Sequence, residues 1–344
     1  ASRAEEIVFG ANMTSLTFHI SRTLARTWQP GDSIVVTRLD HDANVTPWVL
    51  AAEDRDCLVQ YVDFNLEDGR LDIDQLSRAL ETQPRLVAVG YSSNALGTVN
   101  PVKEICAMAH ASGALVYVDA VHYAPHGPID VQDLDCDFLV CSGYKFFGPH
   151  VGMLYGKFEL LDQLTAYKVR PAPDEPPGKF QTGTPNFEGI AGLLGSLEYL
   201  EWLGENYGAP DSAGSHPGRR LRLKQAMTAI SEYETNLSRA MLEILAETPG
   251  VTTFGPIRLD QLDRRVPTFA FTVKNMPPRQ VSSELGKRDI FTWDGNYYAL
   301  LVTESLGLED FGGMVRVGPV LYNTVAEIER FGEVLGEIAT THHG

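Results

Sequence analysis

The chain is poor in cysteine, in positive charge and in long apolar runs. Its 344 residues include four cysteines, Cys57, Cys106, Cys136 and Cys141, and no C-x-x-C pair. That pattern excludes a disulfide framework and a paired-thiol redox motif. Three of the four lie in or beside apolar runs and read as small buried hydrophobes. No apolar stretch approaches the roughly 18 residues of a membrane span, and no secretory leader is visible. A reduced cytoplasmic compartment is therefore expected. Lys and Arg number 28 against 45 Asp and Glu, a net charge of −17 at pH 7. This balance disfavours nucleic acid and anionic membranes as partners. There is neither a P-loop nor a G-x-G-x-x-G run, so a nicotinamide dehydrogenase is a poor reading. Repeats and low-complexity tracts are also missing, and no metal site is expected.

What is present is a hydrophobic content of 44%, enough for a large core and two domains. Continuous apolar runs at 33–38, 58–64, 86–91, 114–119, 138–142 and 152–156 read as strands buried on both faces. Helical patterns fall between them, at 14–28, 73–82, 101–111 and 187–203, with Pro101 after Asn100 as a start signal. Alternation of this kind predicts a doubly wound, mostly parallel α/β sheet. Residues 1–203 form this large domain in the prediction. The Gly-, Ser- and Pro-rich stretch at 204–220 is expected to be a linker. A smaller α+β unit occupies 221–344, with helices at 221–248, 278–288 and 324–340 and strands at 267–273, 290–293 and 314–317.

Parallel strands present ligands at their carboxyl ends. Phe138-Leu-Val-Cys-Ser-Gly-Tyr-Lys145 ends one such run, and Val116-Tyr-Val-Asp119-Ala-Val-His122 ends another. Alone, Lys145 reads as a solvated lysine and Asp119 as a helix cap. Together they place an amine and a carboxylate on one sheet rim, the pair pyridoxal phosphate requires. Gly143, Gly148 and Gly152 permit a tight turn around the lysine. Leu39-Asp40-His41-Asp42 ends a third strand, where His41 could stack on a flat ring and move protons or simply sit in a polar turn. Ser92-Ser93-Asn94 ends a fourth, where Asn94 either hydrogen-bonds a ligand or serves the turn. Val8-Phe-Gly10-Ala-Asn12-Met-Thr14 opens a helix whose free N–H groups suit an anion, with Thr14 as a plain N-cap the alternative.

These motifs, with Gly183-Thr184-Pro185-Asn186, resemble the class V aminotransferase family of fold-type-I pyridoxal-phosphate enzymes, nearest the cysteine-desulfurase-like proteins. The resemblance covers nearly the whole chain. It implies that Lys145 is the Schiff-base lysine and the acid/base at the substrate Cα. Asp119 would keep the ring nitrogen protonated, and His41 would stack on the ring face. His122 stands where many relatives have Gln, near the cofactor's phenolic oxygen. Asn12, Thr14 and Ser142 match phosphate contacts. Thr184 matches one supplied by a neighbouring subunit, which implies a homodimer with shared active sites. Arg316 in Met314-Val-Arg-Val-Gly318 matches the clamp for a substrate α-carboxylate.

The departures from the family pattern bear on the reaction. Desulfurases carry a nucleophilic cysteine before the arginine-bearing strand. The corresponding stretch here is Asp294-Gly-Asn-Tyr297-Tyr298-Ala299, and no cysteine lies beyond Cys141. Tyr144 replaces the histidine that commonly precedes the lysine. The relatives' segment ahead of the Gly10 region is expected to be missing, the first residue being Ala1. A C–S lyase reaction, β-elimination from a small amino acid, is the leading expectation, with Tyr297 and Tyr298 beside Asn94 and Arg316 as substrate contacts. Alternatives are a desulfurase using an unexpected thiol, an aminotransferase or epimerase, and a non-catalytic pyridoxal-phosphate-binding or interaction protein.

Overall fold

The computed structural model describes residues 1–209 and 218–341. Seven strands form the larger sheet: β1 (Ile7–Gly10), β2 (Ser33–Thr37), β3 (Leu58–Val62), β4 (Leu86–Gly90), β5 (Leu115–Asp119), β6 (Phe138–Ser142) and β7 (Gly152–Gly156). Their order is β1-β7-β6-β5-β4-β2-β3. The run from β3 to β6 is parallel, while β7 is antiparallel to both β6 and β1. The mostly parallel sheet expected from the sequence is therefore present.

The reason for the continuous apolar runs is visible in the core. Along each central strand, alternate residues point to opposite faces. Ile34, Val36, Ala88, Tyr117 and Val140 pack on one face with Leu16, Ile20 and Trp48. Val35, Val87, Val118 and Leu139 pack on the other with Leu76, Ile105 and Ala109. Helices Met13–Ala25 and Thr46–Glu53 thus cover the first face, and Ile73–Leu80 and Val102–Ala111 the second.

The smaller sheet is wholly antiparallel, in the order β10-β11-β9-β8. Its strands are β8 (Val251–Phe254), β9 (Phe269–Val273), β10 (Trp293–Gly295) and β11 (Met314–Val317). Leu237 and Leu242 of helix Arg219–Glu247, Val281 and Leu285 of Pro278–Gly286, and Phe331 and Leu335 of Val325–Thr341 bury its face.

Several boundaries differ from the sequence expectation. Helix Phe187–Tyr207 continues past Gly204 and the next helix begins at Arg219, so the expected loop is shorter at both ends. Its residues 210–217 lie outside the described ones. The strand expected at 290–293 pairs only from Trp293 onward. The preceding helix closes instead through Ile290 N–H to Leu285 O at 3.1 Å, with Asp289 in the left-handed region at φ +57°. The edge strands β1 and β8, only four residues each, and helices Thr46–Glu53 and Leu300–Ser305 were not expected. Among the described residues no helix is long and apolar enough to cross a membrane.

The two sheets are stitched together. Val99 donates its N–H to Arg264 O at 2.9 Å, and Val266 donates to Gly97 O at 2.8 Å. Gly97 sits at φ +78°, and a Cβ there would lie 2.5 Å from Thr268 O, so a side chain would push the segments apart. Arg265 is buried between them and donates to the carbonyls of Pro256 and Thr268. Ala270, Tyr297, Ala299 and Met314 of the smaller unit belong to the same hydrophobic cluster as β2, β4 and β5.

Candidate active site

A cavity of about 900 Å³ opens between the sheets, and its lining includes Thr14, His41, Asn94, Asp119, His122, Ser142, Lys145, Tyr297, Tyr298 and Arg316. Ten of the twelve candidate site residues thus meet at one place. Asn12 stands just outside, capping helix Met13–Ala25 with its side-chain oxygen on Ser15 N at 2.9 Å. Thr184 is exposed in the turn before helix Phe187–Tyr207 and does not line the cavity.

The rim of the larger sheet builds one wall. Ser142 ends β6, and a 3₁₀ turn, Gly143–Lys145, carries the lysine. Ser142 Oγ accepts from Met13 N at 2.9 Å, which locks the helix start onto β6. That close approach needs Gly152, where a Cβ would lie 2.5 Å from the Asn12 backbone. Lys145 is open to the cavity and has no ion-pair partner among the described residues. The surrounding walls still lower its amine below the usual lysine range by desolvation, with the positive charge of Arg316 adding to the effect. Tyr144 also lines the cavity, its ring stacked on His150 at 4.6 Å.

Asp119 ends β5 and is buried. One oxygen accepts from Val121 N at 2.9 Å. Burial pushes its carboxyl up to about 7, with Asp40 adding to the rise and Lys145 opposing it. Asp40 is the residue on which the sequence was least informative. It is buried and clamps the ends of β2 and β4, accepting from Thr37 Oγ1 at 2.7 Å, Gly90 N at 2.9 Å and Asn44 Nδ2 at 2.7 Å. A short polar residue after a strand gave no sign of that load. Beside it His41 accepts from Ala43 N through Nδ1 at 3.0 Å. Desolvation first, then Lys145 and Arg316, hold its ring down at about 4, so it is neutral at pH 7.

The smaller sheet builds the facing wall. Tyr297 and Tyr298 adopt left-handed backbone at φ +55° and +59°, an uncommon pairing for two aromatic residues. Their turn is held from across the cavity. Asn94 Nδ2 donates to Tyr297 O at 2.8 Å, and Asp42 N donates to Tyr298 O at 2.7 Å. The Tyr298 ring lies nearly parallel to His41 at 5.6 Å. Tyr297 is buried, with its guanidinium neighbour Arg316 4.6 Å over the ring. Arg316 donates to Asn94 O at 2.8 Å and has no carboxylate partner among the described residues. Asn94 therefore spends its amide N–H on the turn and its carbonyl on the arginine, while its buried Oδ1 has no partner.

His122 completes the join by sharing a 2.8 Å hydrogen bond with Thr268 Oγ1. Burial above all, and the nearby His126, keep its ring well below the ordinary histidine range. Behind it His126 pairs with the buried Glu234 at 2.8 Å. Thr268, His126 and Glu234 carried no recognisable motif. None of the four cysteines lines the cavity. Burial pushes the thiols of Cys106 and Cys141 up to about 12.

The aminotransferase class V family model matches residues 1–209 and 219–331. A cysteine desulfurase of Pectobacterium atrosepticum is 34% identical over 344 aligned residues, covering 96% of this chain and 77% of its own length. An aminotransferase-like protein of Gibberella zeae is also 34% identical, covering 95% of this chain and 77% of its length. Among solved structures, a cysteine desulfurase of Thermococcus onnurineus in its apo form superposes with a TM-score of 0.86 at 28% identity. That match covers 98% of this chain and 80% of the other. The cysteine desulfurase CsdA of Escherichia coli superposes with a TM-score of 0.83 at 26% identity, covering 99% and 80%.

Proposed function

The chain belongs to the class V aminotransferase family, and we propose that it is a pyridoxal-phosphate-dependent C–S lyase acting on a β-thio amino acid. Its architecture is the fold-type-I one expected from the sequence.

The single observation that carries the reading is the set of unmatched polar groups around one cavity. Among the described residues, Asp119 is a buried carboxyl with a single hydrogen bond, Lys145 an amine without a counter-ion, and Arg316 a guanidinium without a carboxylate. Each lacks the partner that a cofactor or amino-acid substrate would bring. The residues fit pyridoxal phosphate. Asp119 suits a protonated ring nitrogen. Thr14 and the hydroxyl proton of Ser142, whose oxygen already accepts from Met13, suit the phosphate; Asn12 keeps its amide N–H for the same purpose. Thr184 would contribute its hydroxyl from a second copy in a homodimer. The four free cysteines fit a reducing, cytoplasmic setting.

When bound, the cofactor supplies an electron sink that makes the Cα proton of an attached amino acid acidic. The chain's own residues do the rest. Arg316 holds the α-carboxylate, oriented by the Asn94 carbonyl and the Tyr297 ring. Lys145, its amine shifted toward the neutral form, takes the proton from Cα. His41, neutral at pH 7, would cover a ring face, and the proton that Lys145 takes from Cα is the one available to the departing sulfur. His122, held by Thr268, would stand beside the oxygen of the cofactor ring. The overall reaction is S-substituted cysteine plus water giving pyruvate, ammonium and a thiol. No enzymic thiolate takes part, in keeping with raised cysteine pKa values and a cavity lining without cysteine.

The test is product analysis with S-methylcysteine and with cysteine. Pyruvate and thiol in equal amounts support elimination. A keto acid formed only with a second amino-acid acceptor overturns it in favour of transamination. The desulfurase relatives favour one other reading, sulfur transfer to an enzymic cysteine. A persulfide on one of the four cysteines, detected by mass spectrometry, would establish that reading instead.

A further inference from the structure

The cavity mouth carries aromatic surface that the proposed chemistry does not use. Phe291 is 86% exposed, Trp293 63% and Tyr298 72%, and all three line the same cavity as Lys145 and Arg316. Neither Phe291 nor Trp293 has a ring or cation partner among the described residues. Exposed aromatics clustered at a cleft mark a recognition surface more often than scattered ones do.

Register ties this surface to the carboxylate clamp. Trp293 in β10 pairs directly with Arg316 in β11. Directly opposed residues of an antiparallel pair project to the same face of the sheet. An amino acid held by its carboxylate at Arg316 therefore has the Trp293 indole beside it. Tyr298 lines the mouth as well, its ring stacked on His41. Charge narrows the occupant further. Lys145 and Arg316 are the lining's only Lys or Arg among the described residues, and both are engaged by the reaction. Asp42 is the one lining carboxylate besides Asp119, and its oxygens accept from Thr46 Oγ1 at 2.9 Å. With both lining cations engaged, no cationic group is left to pair with a distal anion on the substrate.

We propose that Phe291, Trp293 and Tyr298 form a specificity rim for a large apolar or aromatic group carried on the substrate's sulfur. This rests on the lyase reading above and sharpens it: the preferred substrates are S-aryl- or S-aralkyl-cysteines, and the thiol released is apolar. An occupied rim would shed water from about three aromatic faces, whereas a methyl group reaches none of them.

The test titrates the cofactor-loaded protein with S-benzylcysteine, S-methylcysteine and S-carboxymethylcysteine, following the cofactor's absorbance and extracting dissociation constants. S-benzylcysteine should bind about tenfold more tightly than the other two, as expected for one buried aromatic group. Trp293→Ala and Phe291→Ala should each shrink that ratio toward one. Equal affinities in the parent protein, or a ratio preserved in both variants, would overturn the proposal while leaving the lyase reading in place. Variants that change the sedimentation of the protein yet keep the ratio would assign the rim to a second copy of the chain, and overturn it too. A protein that gives no spectral response to any amino acid, S-methylcysteine included, sinks the underlying reading and this one with it.

Discussion

One wall of the cavity comes from the strand ends of the parallel sheet, the other from a strained turn and strands β10 and β11 of the antiparallel one. The first wall is built by main-chain geometry. Asp119 and Ser142 end neighbouring strands, and Lys145 follows in the turn after β6. Their polar groups are fixed by N–H donors at short range, Val121 on Asp119 and Met13 on Ser142. The second wall is held partly from across the cavity. Tyr297 and Tyr298 stay in left-handed backbone because Asn94 and Asp42, both from the first wall, grip their carbonyls. Arg316 in turn takes its orientation from Asn94 O. The difference teaches that the site is asymmetric. The sheet rim carries its polar groups on strand ends, whereas the turn and arginine of the second wall take part of their orientation from the rim.

Four experiments would break or sharpen that contrast, and the first is all-or-none. Lys145→Ala should abolish covalent attachment of pyridoxal phosphate, read as loss of the borohydride-fixed mass, while leaving the fold intact. Attachment at another lysine would show that the first wall is not the cofactor wall.

Next in size is Asp119→Asn. The folded carboxyl, at about 7, binds its proton more tightly than an unfolded one, so the cofactor-free protein loses stability as pH rises from about 4 through 7. The amide removes that cost. The variant should gain on the parent by about 2–4 kcal/mol at pH 8 and by little near pH 4. Denaturant melts of the cofactor-free proteins at several pH values measure it, and parallel curves would refute the assignment.

Arg316→Lys tests the second wall. A point charge replaces a planar fork, and an amino-acid ligand should bind roughly 30-fold more weakly, with cofactor content preserved. Weakening equal for an amino acid and its decarboxylated amine would rule out the carboxylate clamp. The smallest effect belongs to Asn94→Ala, which cuts the link between the walls. It should cost about 1–2 kcal/mol in thermal stability. If Tyr297 depends on that link as described, ligand affinity should fall with it; unchanged affinity would mean the second wall holds itself.

The first wall was legible because parallel strands buried on both faces leave continuous apolar runs, and chemistry follows at their ends. Lys145, Asp119 and His41 could be named from that pattern, whereas Arg316 was named only through the family resemblance, since alone it reads as a strand-edge salt-bridge residue. Asp40 could not, since its role needs Thr37, Asn44 and Gly90 brought together from two strands and the turn after the first. Nor could Thr268, which meets His122 across 146 positions of chain. The run at 290–293 looked like a strand because its aromatic and β-branched residues suit one. Helix closure at Ile290 overrode that propensity and left Phe291 at the cavity mouth.

Local pattern alone thus determined the sheet, its rim, and the amine and carboxylate on it, because strand burial and strand ends are properties of short segments. Tertiary structure decided how Arg316, Tyr297 and Trp293 face that rim. Tyr297 and Arg316 depend on hydrogen bonds to Asn94, 203 and 222 positions away, and Trp293 on its pairing with Arg316, which no short window of sequence contains. It also decided the charge states. Burial and opposing charges, set by the packed walls, raise Asp119 and lower Lys145 and His41.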